Sequence, residues 1–220
     1  MSGLTPQLLL GAYASGIFPM AENRGDPDLY WIDPDRRGIL PLDQFHIPRR
    51  LRKTLRANIY DVRCNTDFLS VVSECAAPST HRPETWINNE IEALYGALHD
   101  MGFAHSVECW QVGRDGSRLV GGLYGVALGG AFFGESMFSR ARDASKVALC
   151  HLVARLRCGG FTLLDTQFVT EHLSQFGVME IDRSDYKRRL AEALKHEARF
   201  QPGLDSAALS DFIQSTTQTS

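Results

Sequence analysis

The spacing of apolar residues changes partway along the chain, and this change predicts where helices give way to strands. Apolar residues recur at helical intervals up to about residue 101, for example at Ile87, Ile91, Leu94 and Leu98. After Gly102 they alternate, as in strands. Turn signals and capping residues then set the remaining limits. The pattern predicts helices over about 5–15, 48–56, 66–76, 87–101, 143–157, 170–176 and 184–198. It predicts strands over 103–112, 118–128, 131–138, 161–168 and 178–181, with a turn at Arg114-Asp115-Gly116-Ser117.

This order of elements predicts an α+β fold. Three consecutive antiparallel strands are followed by a helix and another strand, and such a strand–helix–strand step requires parallel pairing through a right-handed crossover. The order is that of the acetyltransferase-like (GNAT) fold. Residues 1–42, rich in Pro, Gly and Asp, are predicted to form a small N-terminal unit with one or two short strands. Residues 43–200 would form the GNAT-like domain, and 201–220 a disordered tail.

Composition excludes several classes of protein. A chain with 44% hydrophobic and 22% charged residues has the balance of an ordinary globular protein. No apolar run approaches the roughly 18–20 residues that span a bilayer. No secretion signal is evident. The five cysteines are scattered and form no C-x-x-C pair, so neither a disulfide framework nor a metal site is expected. We therefore expect a cytoplasmic protein that needs no metal.

Two polar positions occur at the end of a predicted strand. Alternation places Asp165 and Gln167 on one face of the strand 161–168, near its C-terminal end, where ligands of α/β sheets tend to bind. A carboxylate there can orient an amine or receive its proton, and an amide can donate to an oxyanion. The alternative is a polar strand end that pairs with loop backbone.

Glu135 lies within an otherwise apolar strand, where a carboxylate needs a partner or a function. Strict alternation would put Glu135 and Phe132 on opposite faces, so a shared pocket requires a bulge near Gly134. A carboxylate that points to solvent from an edge strand is the alternative. Ser136 does not fit a nucleophile elbow, because Phe138 stands where G-x-S-x-G requires glycine.

The loop that follows the strand 131–138 indicates which acyl donor the protein could bind. Acetyltransferases of the GNAT fold bind the pyrophosphate of acetyl-CoA on a glycine-containing loop at this place, whereas residues 139–146 contain no glycine. We therefore do not expect acetyl-CoA to be the acyl donor. A basic run at residues 49–56 offers contacts to phosphates, although such a run is also typical of a solvated helix face. Its cations are Arg49, Arg50, Arg52, Lys53 and Arg56.

Several segments match one family in a single register. The main ones are His105–Glu108, Leu119–Ala127, Phe133-Gly134-Glu135-Ser136-Met137-Phe138-Ser139, Ala144-Ser145-Lys146, Leu164-Asp165-Thr166-Gln167 and His172-Leu173, with Gly16-Ile17-Phe18-Pro19 and Thr85-Trp86-Ile87 upstream. In these segments the chain closely resembles the leucyl/phenylalanyl-tRNA–protein transferase family.

The resemblance implies a GNAT-like domain that uses aminoacyl-tRNA in place of acetyl-CoA. The implied reaction moves Leu or Phe, with Met as an overlapping donor, onto the N-terminal amine of proteins that begin with Arg or Lys. The product would be read by bacterial proteolysis. No ATP, metal or cofactor is implied, and we expect a monomer that does not bind membranes.

Matching positions imply the site residues. Asp165, Gln167 and Glu135 are the expected catalytic residues, either by positioning the reactants or by transferring a proton. The terminal adenosine and the aminoacyl side chain would lie against Met20, Trp86, Leu123, Phe132, Gly134, Ser136, Leu149 and Leu164. Met20 departs from the family, which commonly has Trp at this place, so donor selectivity there is open. Two other functions remain open on the sequence: an N-acetyltransferase that uses acyl-CoA, and a non-catalytic tRNA-binding module.

Overall fold

A computed structural model describes residues 4–26, 28–78, 84–114 and 116–216. The predicted turn at 114–117 includes Asp115, which lies outside the described residues.

The first helix and a two-stranded sheet form the N-terminal part. Helix α1 (Pro6–Ala14) begins at Thr5, whose side chain accepts from the N–H of Leu8, and the chain turns at Gly16 with a φ of +80°. Strands β1 (Phe18–Met20) and β2 (Tyr30–Ile32) then pair antiparallel. The short strands expected in this part of the chain are therefore present.

Within the described residues the large sheet has seven strands, with β7 and β8 at its centre. Its members are β3 (Arg36–Ile39), β4 (Asp61–Cys64), β5 (Ala104–Gly113), β6 (Gly116–Leu128), β7 (Ala131–Ser139), β8 (Leu163–Gln167) and β9 (Met179–Asp182). Their spatial order is β4-β5-β6-β7-β8-β3-β9. Only the β7–β8 pair is parallel among these ladders, as the predicted crossover requires. The structure is thus a mixed α+β fold.

Strand β3 corrects the predicted limit of the N-terminal unit. Although it precedes residue 42, β3 lies between β8 and β9 in the large sheet and pairs antiparallel with both. The boundary at residue 42 is therefore wrong by several residues. Strand β4 was also missed, because its sequence DVRC carries no clear alternation.

Helices cover both faces of the sheet. They are α2 (Arg49–Ala57), α3 (Phe68–Ala76), α4 (Asn89–Asp100), α5 (Ala144–Cys158), α6 (Glu171–Ser174), α7 (Arg183–Ala193) and α8 (Ser206–Ser215). Helices α2, α5 and α8 pack on one apolar cluster, and α1, α3, α4 and α7 pack on the other. Each face of the sheet therefore has its own core.

The expectation of a disordered tail after residue 200 is wrong for helix α8. The side chain of Asp205 accepts from the N–H of Ala208 and caps the helix, while Phe212 and Ile213 are buried. The ring of Phe212 stacks on Phe45. Composition concealed this helix, because its few apolar residues lie on one narrow face.

Candidate active site

A bulge in β7 shapes the centre of the sheet. Ser136 pairs with Tyr124 and Gly134 with Gly125, so Glu135 is the extra residue of β7. The predicted bulge near Gly134 is confirmed. It brings the backbone of β7 so close to β6 that a Cβ on Gly125 would lie 2.2 Å from the carbonyl oxygen of Phe133. Glycine is therefore required there.

The bulge does not bring Phe132 and Glu135 to one pocket, contrary to the expectation from the sequence. Phe132 packs in the cluster beneath α5, with its ring 6.2 Å from that of Phe161 and 6.1 Å from that of Phe200. Glu135 turns to the opposite face, where Phe133 lies 4.8 Å from the ring of Tyr13. The extra residue instead shifts the alternation of side chains between the two faces of β7. Phe133 and Phe138, which lie on opposite sides of the bulge and are five residues apart, therefore point into the same cluster.

Glu135 is enclosed by hydroxyl and amide donors. Tyr13 donates to Oε1 at 2.7 Å and Tyr95 to Oε2 at 2.8 Å, while the Nε2 of Gln167 donates to Oε1 at 3.2 Å. Burial raises the pKa of Glu135 to about 7, although these hydrogen bonds oppose the rise. Burial also raises the pKa values of Tyr13 and Tyr95, so both phenols keep their protons.

The number of protons favours a protonated Glu135. The hydroxyls of Tyr13 and Tyr95 also contact each other, so the two phenols and the carboxyl form a triangle with three contacts. The two phenols supply two protons, and each contact needs one. A proton on Glu135 supplies the third, and one phenol then accepts from the carboxyl and donates to the other phenol, which donates back to Glu135. The triangle is therefore fully hydrogen-bonded only when Glu135 is neutral, and the raised pKa agrees with this.

Asp165 and Gln167 are neighbours, as predicted, but they have different surroundings. Asp165 is fully buried and does not contact the cavity described below. Its Oδ1 accepts from the backbone N–H of Gln167 at 2.8 Å. Gln167 has a φ of +61°, in the left-handed region that non-glycine residues seldom adopt. Asp165 thus holds the backbone of Gln167 in an unusual turn and fixes where its amide points.

Arg37 completes this network, although it is not among the site residues predicted from the sequence. Its guanidinium donates to both oxygens of Asp165, with the shortest distance 2.6 Å, and to the carbonyl of Gly16 at 3.1 Å. Burial alone would lower the pKa of Arg37, but the hydrogen bonds and charge of Asp165 raise it overall. Tyr186 donates to Asp165 at 2.6 Å. No local signal marks Arg37, because its role depends on β3 lying beside β8.

A cavity of about 740 Å³ opens beside Glu135 and Gln167. Most of its wall is apolar. The predicted residues that line it are Met20, Trp86, Leu123, Gly134, Glu135, Ser136, Leu149, Leu164 and Gln167. Phe132 and Asp165 are the two predicted residues of the pocket that do not line it. The cavity has a size typical of small-molecule and cofactor sites.

Two polar side chains of the wall have capacity to bind a ligand. The Oγ1 of Thr166 and the Nε2 of His172 are buried without a hydrogen-bond partner in the described part of the chain. Burial, together with Lys146, lowers the pKa of His172, so its ring is neutral. Buried polar groups are costly when unpaired, so a ligand in the cavity would gain from bonding them.

The predicted basic segment forms helix α2, with one correction. Leu51 and Leu55 are buried, and Arg49, Arg50, Lys53 and Arg56 are exposed. Arg52 differs, since its guanidinium donates to the carbonyls of Ile47 and Thr216. Arg52 is thus a structural residue that ties α2 to the end of α8.

The fold defines a mixed α+β protein with a ligand-sized cavity at its central parallel strands. The crystal structure of FemX has a similar fold, with a TM-score of 0.52 and 12% identity over 80% of this chain and 66% of that chain. No described helix is long and apolar enough to cross a membrane.

Sequence comparisons define the family. Residues 39–191 match the profile of leucyl/phenylalanyl-tRNA protein transferase, and residues 3–35 match the profile of its N-terminal domain. The leucyl/phenylalanyl-tRNA–protein transferase of Maricaulis maris is 60% identical over 220 residues, all of both chains. That of Caulobacter vibrioides is 58% identical over 212 residues, 96% of each chain. The chain belongs to the leucyl/phenylalanyl-tRNA–protein transferase family and is an aminoacyltransferase that forms a peptide bond.

Proposed function

We propose that this enzyme transfers Leu or Phe from aminoacyl-tRNA to the N-terminal amine of proteins that begin with Arg or Lys. The observation that carries the proposal is the cavity itself. An apolar wall that includes Leu123, Leu149 and Leu164 suits an aliphatic or aromatic side chain, and polar groups stand at its edge. Met fits the same wall, because one methylene changes such discrimination by only about 1–3 kcal/mol.

The reaction needs a positioned amine rather than an energy source. The α-amine of the acceptor attacks the ester carbonyl of the aminoacyl-tRNA. A C–N bond forms, the C–O bond to the ribose breaks, and an amine proton passes to the leaving oxygen. Because the ester is already activated, neither ATP nor a metal is required. Holding the two reactants together supplies a large part of the rate enhancement.

Glu135 and Gln167 are the residues proposed to contact the reactants, since both line the cavity. A neutral Glu135 can both donate and accept, and the amide of Gln167 can orient the attacking amine or the ester carbonyl. Asp165 acts through Gln167, whose backbone N–H it holds. We therefore assign Asp165 a positioning role and not proton transfer at the substrate.

The donor would enter between the N-terminal unit and the large sheet. Trp86 offers a ring on which the terminal adenine can stack, and Met20 covers the neighbouring wall where the family commonly has Trp. The exposed cations of α2 would contact phosphates of the tRNA. Gly134 and Ser136 would border the reacting carbonyl.

The proposal also covers the fold class, the cellular location and the fate of the product. We assign the large sheet with α5 to the GNAT-like class, and we expect a cytoplasmic monomer without a cofactor. The product would mark its acceptor for N-degron proteolysis. The missing glycine loop at residues 139–146 supports aminoacyl-tRNA over acyl-CoA as the donor.

The test combines the purified protein with Leu-tRNA and an Arg-initiated peptide in the absence of ATP. Mass spectrometry should detect the peptide extended by one leucine. A peptide with an acetylated N-terminus is the matched control and should stay unmodified. No leucyl transfer, or acetylation when acetyl-CoA replaces the tRNA, would contradict the proposal.

A further inference from the structure

Among the described residues that line the cavity, two carry a carboxyl group, Glu74 and Glu135, and one, Arg140, carries a permanent positive charge. Glu135 has both oxygens occupied by Tyr13, Tyr95 and Gln167. A cationic substrate group must therefore find its counter-charge elsewhere in the wall. Glu74 is the remaining carboxylate.

The carboxylate of Glu74 can accept a hydrogen bond from such a cationic group. Its Oε2 accepts from the Nε of Arg140 at 2.7 Å, and its Oε1 makes no hydrogen bond within the described residues. The side chains of Glu74 and Arg140 are 39% and 38% exposed, so their ion pair is in contact with solvent. Exposed pairs of this kind are weak and exchange partners readily.

The ends of two helices give the cavity opposite polarity on its two sides. Glu74 and Ala77 belong to the C-terminal end of α3, where helix carbonyls present a partial negative charge. Ser145 belongs to the first turn of α5, where amide groups present a partial positive charge. Arg140 precedes that turn. One side thus favours a cation and the other favours the phosphates of a tRNA.

The hairpin beside α3 strengthens the negative side. Met20 lines the cavity and pairs with Tyr30, and three acidic residues lie in the connection between β1 and β2. These acids, Glu22, Asp26 and Asp28, raise the pKa of Tyr30. Arg24 in the same connection is paired with Glu92 and also donates to the carbonyl of Ala76 at the end of α3, so this one cation offsets part of the three negative charges and leaves the connection net acidic.

We propose that Glu74 binds the cationic side chain of the acceptor's first residue, exchanging Arg140 for that cation when the acceptor enters. Arg140, released from Glu74, would then contact a phosphate near the end of the tRNA. Glu74 is thus a specificity-determining residue that selects basic acceptors. This inference rests on the proposed function, because it assumes the two substrates of the transfer.

The test compares an Arg-initiated peptide with the same peptide that begins with citrulline, the neutral analogue of arginine. The wild-type enzyme should favour the Arg peptide in kcat/KM by about fivefold, the size of a partly exposed charge pair. Glu74→Gln should remove most of this preference and raise the KM for the Arg peptide, while the KM for Leu-tRNA should not rise, because Arg140 is then free to contact the tRNA. Glu192→Gln, an equal change of charge outside the cavity, should behave as wild type.

Arg140→Gln separates acceptor recognition from the mere loss of an ion pair. It breaks the same pair but leaves the carboxylate, so the preference for the Arg peptide should persist while the KM for Leu-tRNA rises. An unchanged Arg-to-citrulline ratio in Glu74→Gln would overturn the inference. An equal loss of the ratio in Arg140→Gln would also overturn it. Failure of the wild type to leucylate either peptide would instead refute the proposed function.

Discussion

The guanidinium of Arg37 lies between two aromatic rings while it holds both oxygens of Asp165. Its central carbon is 4.5 Å from the ring centroids of Phe18 and of Tyr186. The side chains of Arg37 and Asp165 are 1% and 0% exposed. This pair joins the N-terminal unit, β3, β8 and α7 at one point beneath the candidate active site.

Removing one member of this pair should lower the free energy of unfolding. Arg37→Leu leaves the carboxylate of Asp165 buried without its counter-charge, so we expect a loss of about 3–5 kcal/mol in the free energy of unfolding. Urea denaturation measures it. The double variant Arg37→Leu/Asp165→Leu should lose less than the single variant. Equal losses would show that the charges do not interact as described.

Asp165→Asn should impair turnover and leave donor binding nearly intact. The amide cannot accept from Arg37, Tyr186 and Gln167 together, so Gln167 would shift, and a shift of about 1 Å can reduce the rate on the order of a hundredfold. Steady-state kinetics should show a lower kcat with a similar KM for Leu-tRNA. The pH profile of the residual activity should keep the wild-type shape. If that profile lost its limb on the acid side, Asp165 would be a proton acceptor.

Protonation of Glu135 should make stability depend on pH. An ordinary glutamate has a pKa of about 4.5, whereas the folded protein holds the pKa of Glu135 at about 7. Between these values the unfolded chain releases a proton that the folded chain keeps, so this contribution to stability falls as pH rises through that window. The total change is up to about 3 kcal/mol. Thermal unfolding from acid to neutral pH measures it.

Glu135→Gln should flatten this part of the pH dependence, because the amide does not titrate. Glu197→Gln, a substitution at an exposed position, should leave it as in the wild type. Infrared difference spectra offer a direct check. A carbonyl band of a protonated carboxyl should be present in the wild type at acid pH and absent in Glu135→Gln. An unchanged spectrum would mean that Glu135 is ionised.

Neighbouring cations of α2 should behave differently when replaced. Arg50 is exposed, so Arg50→Ala should reduce the salt dependence of tRNA binding by about one unit of slope, with stability unchanged. Arg52 donates to two backbone carbonyls, so Arg52→Ala should cost about 1–3 kcal/mol of stability. Binding titrations at several salt concentrations and urea denaturation distinguish the two. Equal effects in both assays would contradict the assignment.

Helix α8 should contribute to the core. Phe212 is 7% exposed, stacks on Phe45 and lies beneath the guanidinium of Arg157. Phe212→Ala should lower the free energy of unfolding by about 3–5 kcal/mol, as for other large-to-small changes in a core. Asp211→Ala, a change at an exposed position of the same helix, should have a much smaller effect. Comparable losses would mean that α8 does not pack as a unit.

Much of the fold could be predicted from local pattern. The predicted positions Ile91, Leu94 and Leu98 lie on the buried face of α4, whereas Ile87 precedes the helix. The glycines at 129–130 and 159–160 mark real ends of β6 and α5. Helix α8 and strand β4 were missed because few apolar residues define them. Strand β3 was assigned to the wrong unit, because pairing between distant strands leaves no local signal.

The sequence by itself determined the family, the elements around β7 and β8, and which residues to propose for the candidate site. Gly134 indicated a bulge, and Asp165 and Gln167 were expected side by side. Only the tertiary structure decided their surroundings. It placed Glu135 against Tyr13 and Tyr95, Phe132 on the far face, and Arg37 against Asp165. The physical reason is that the protonation and orientation of a buried polar group depend on groups brought from distant parts of the chain.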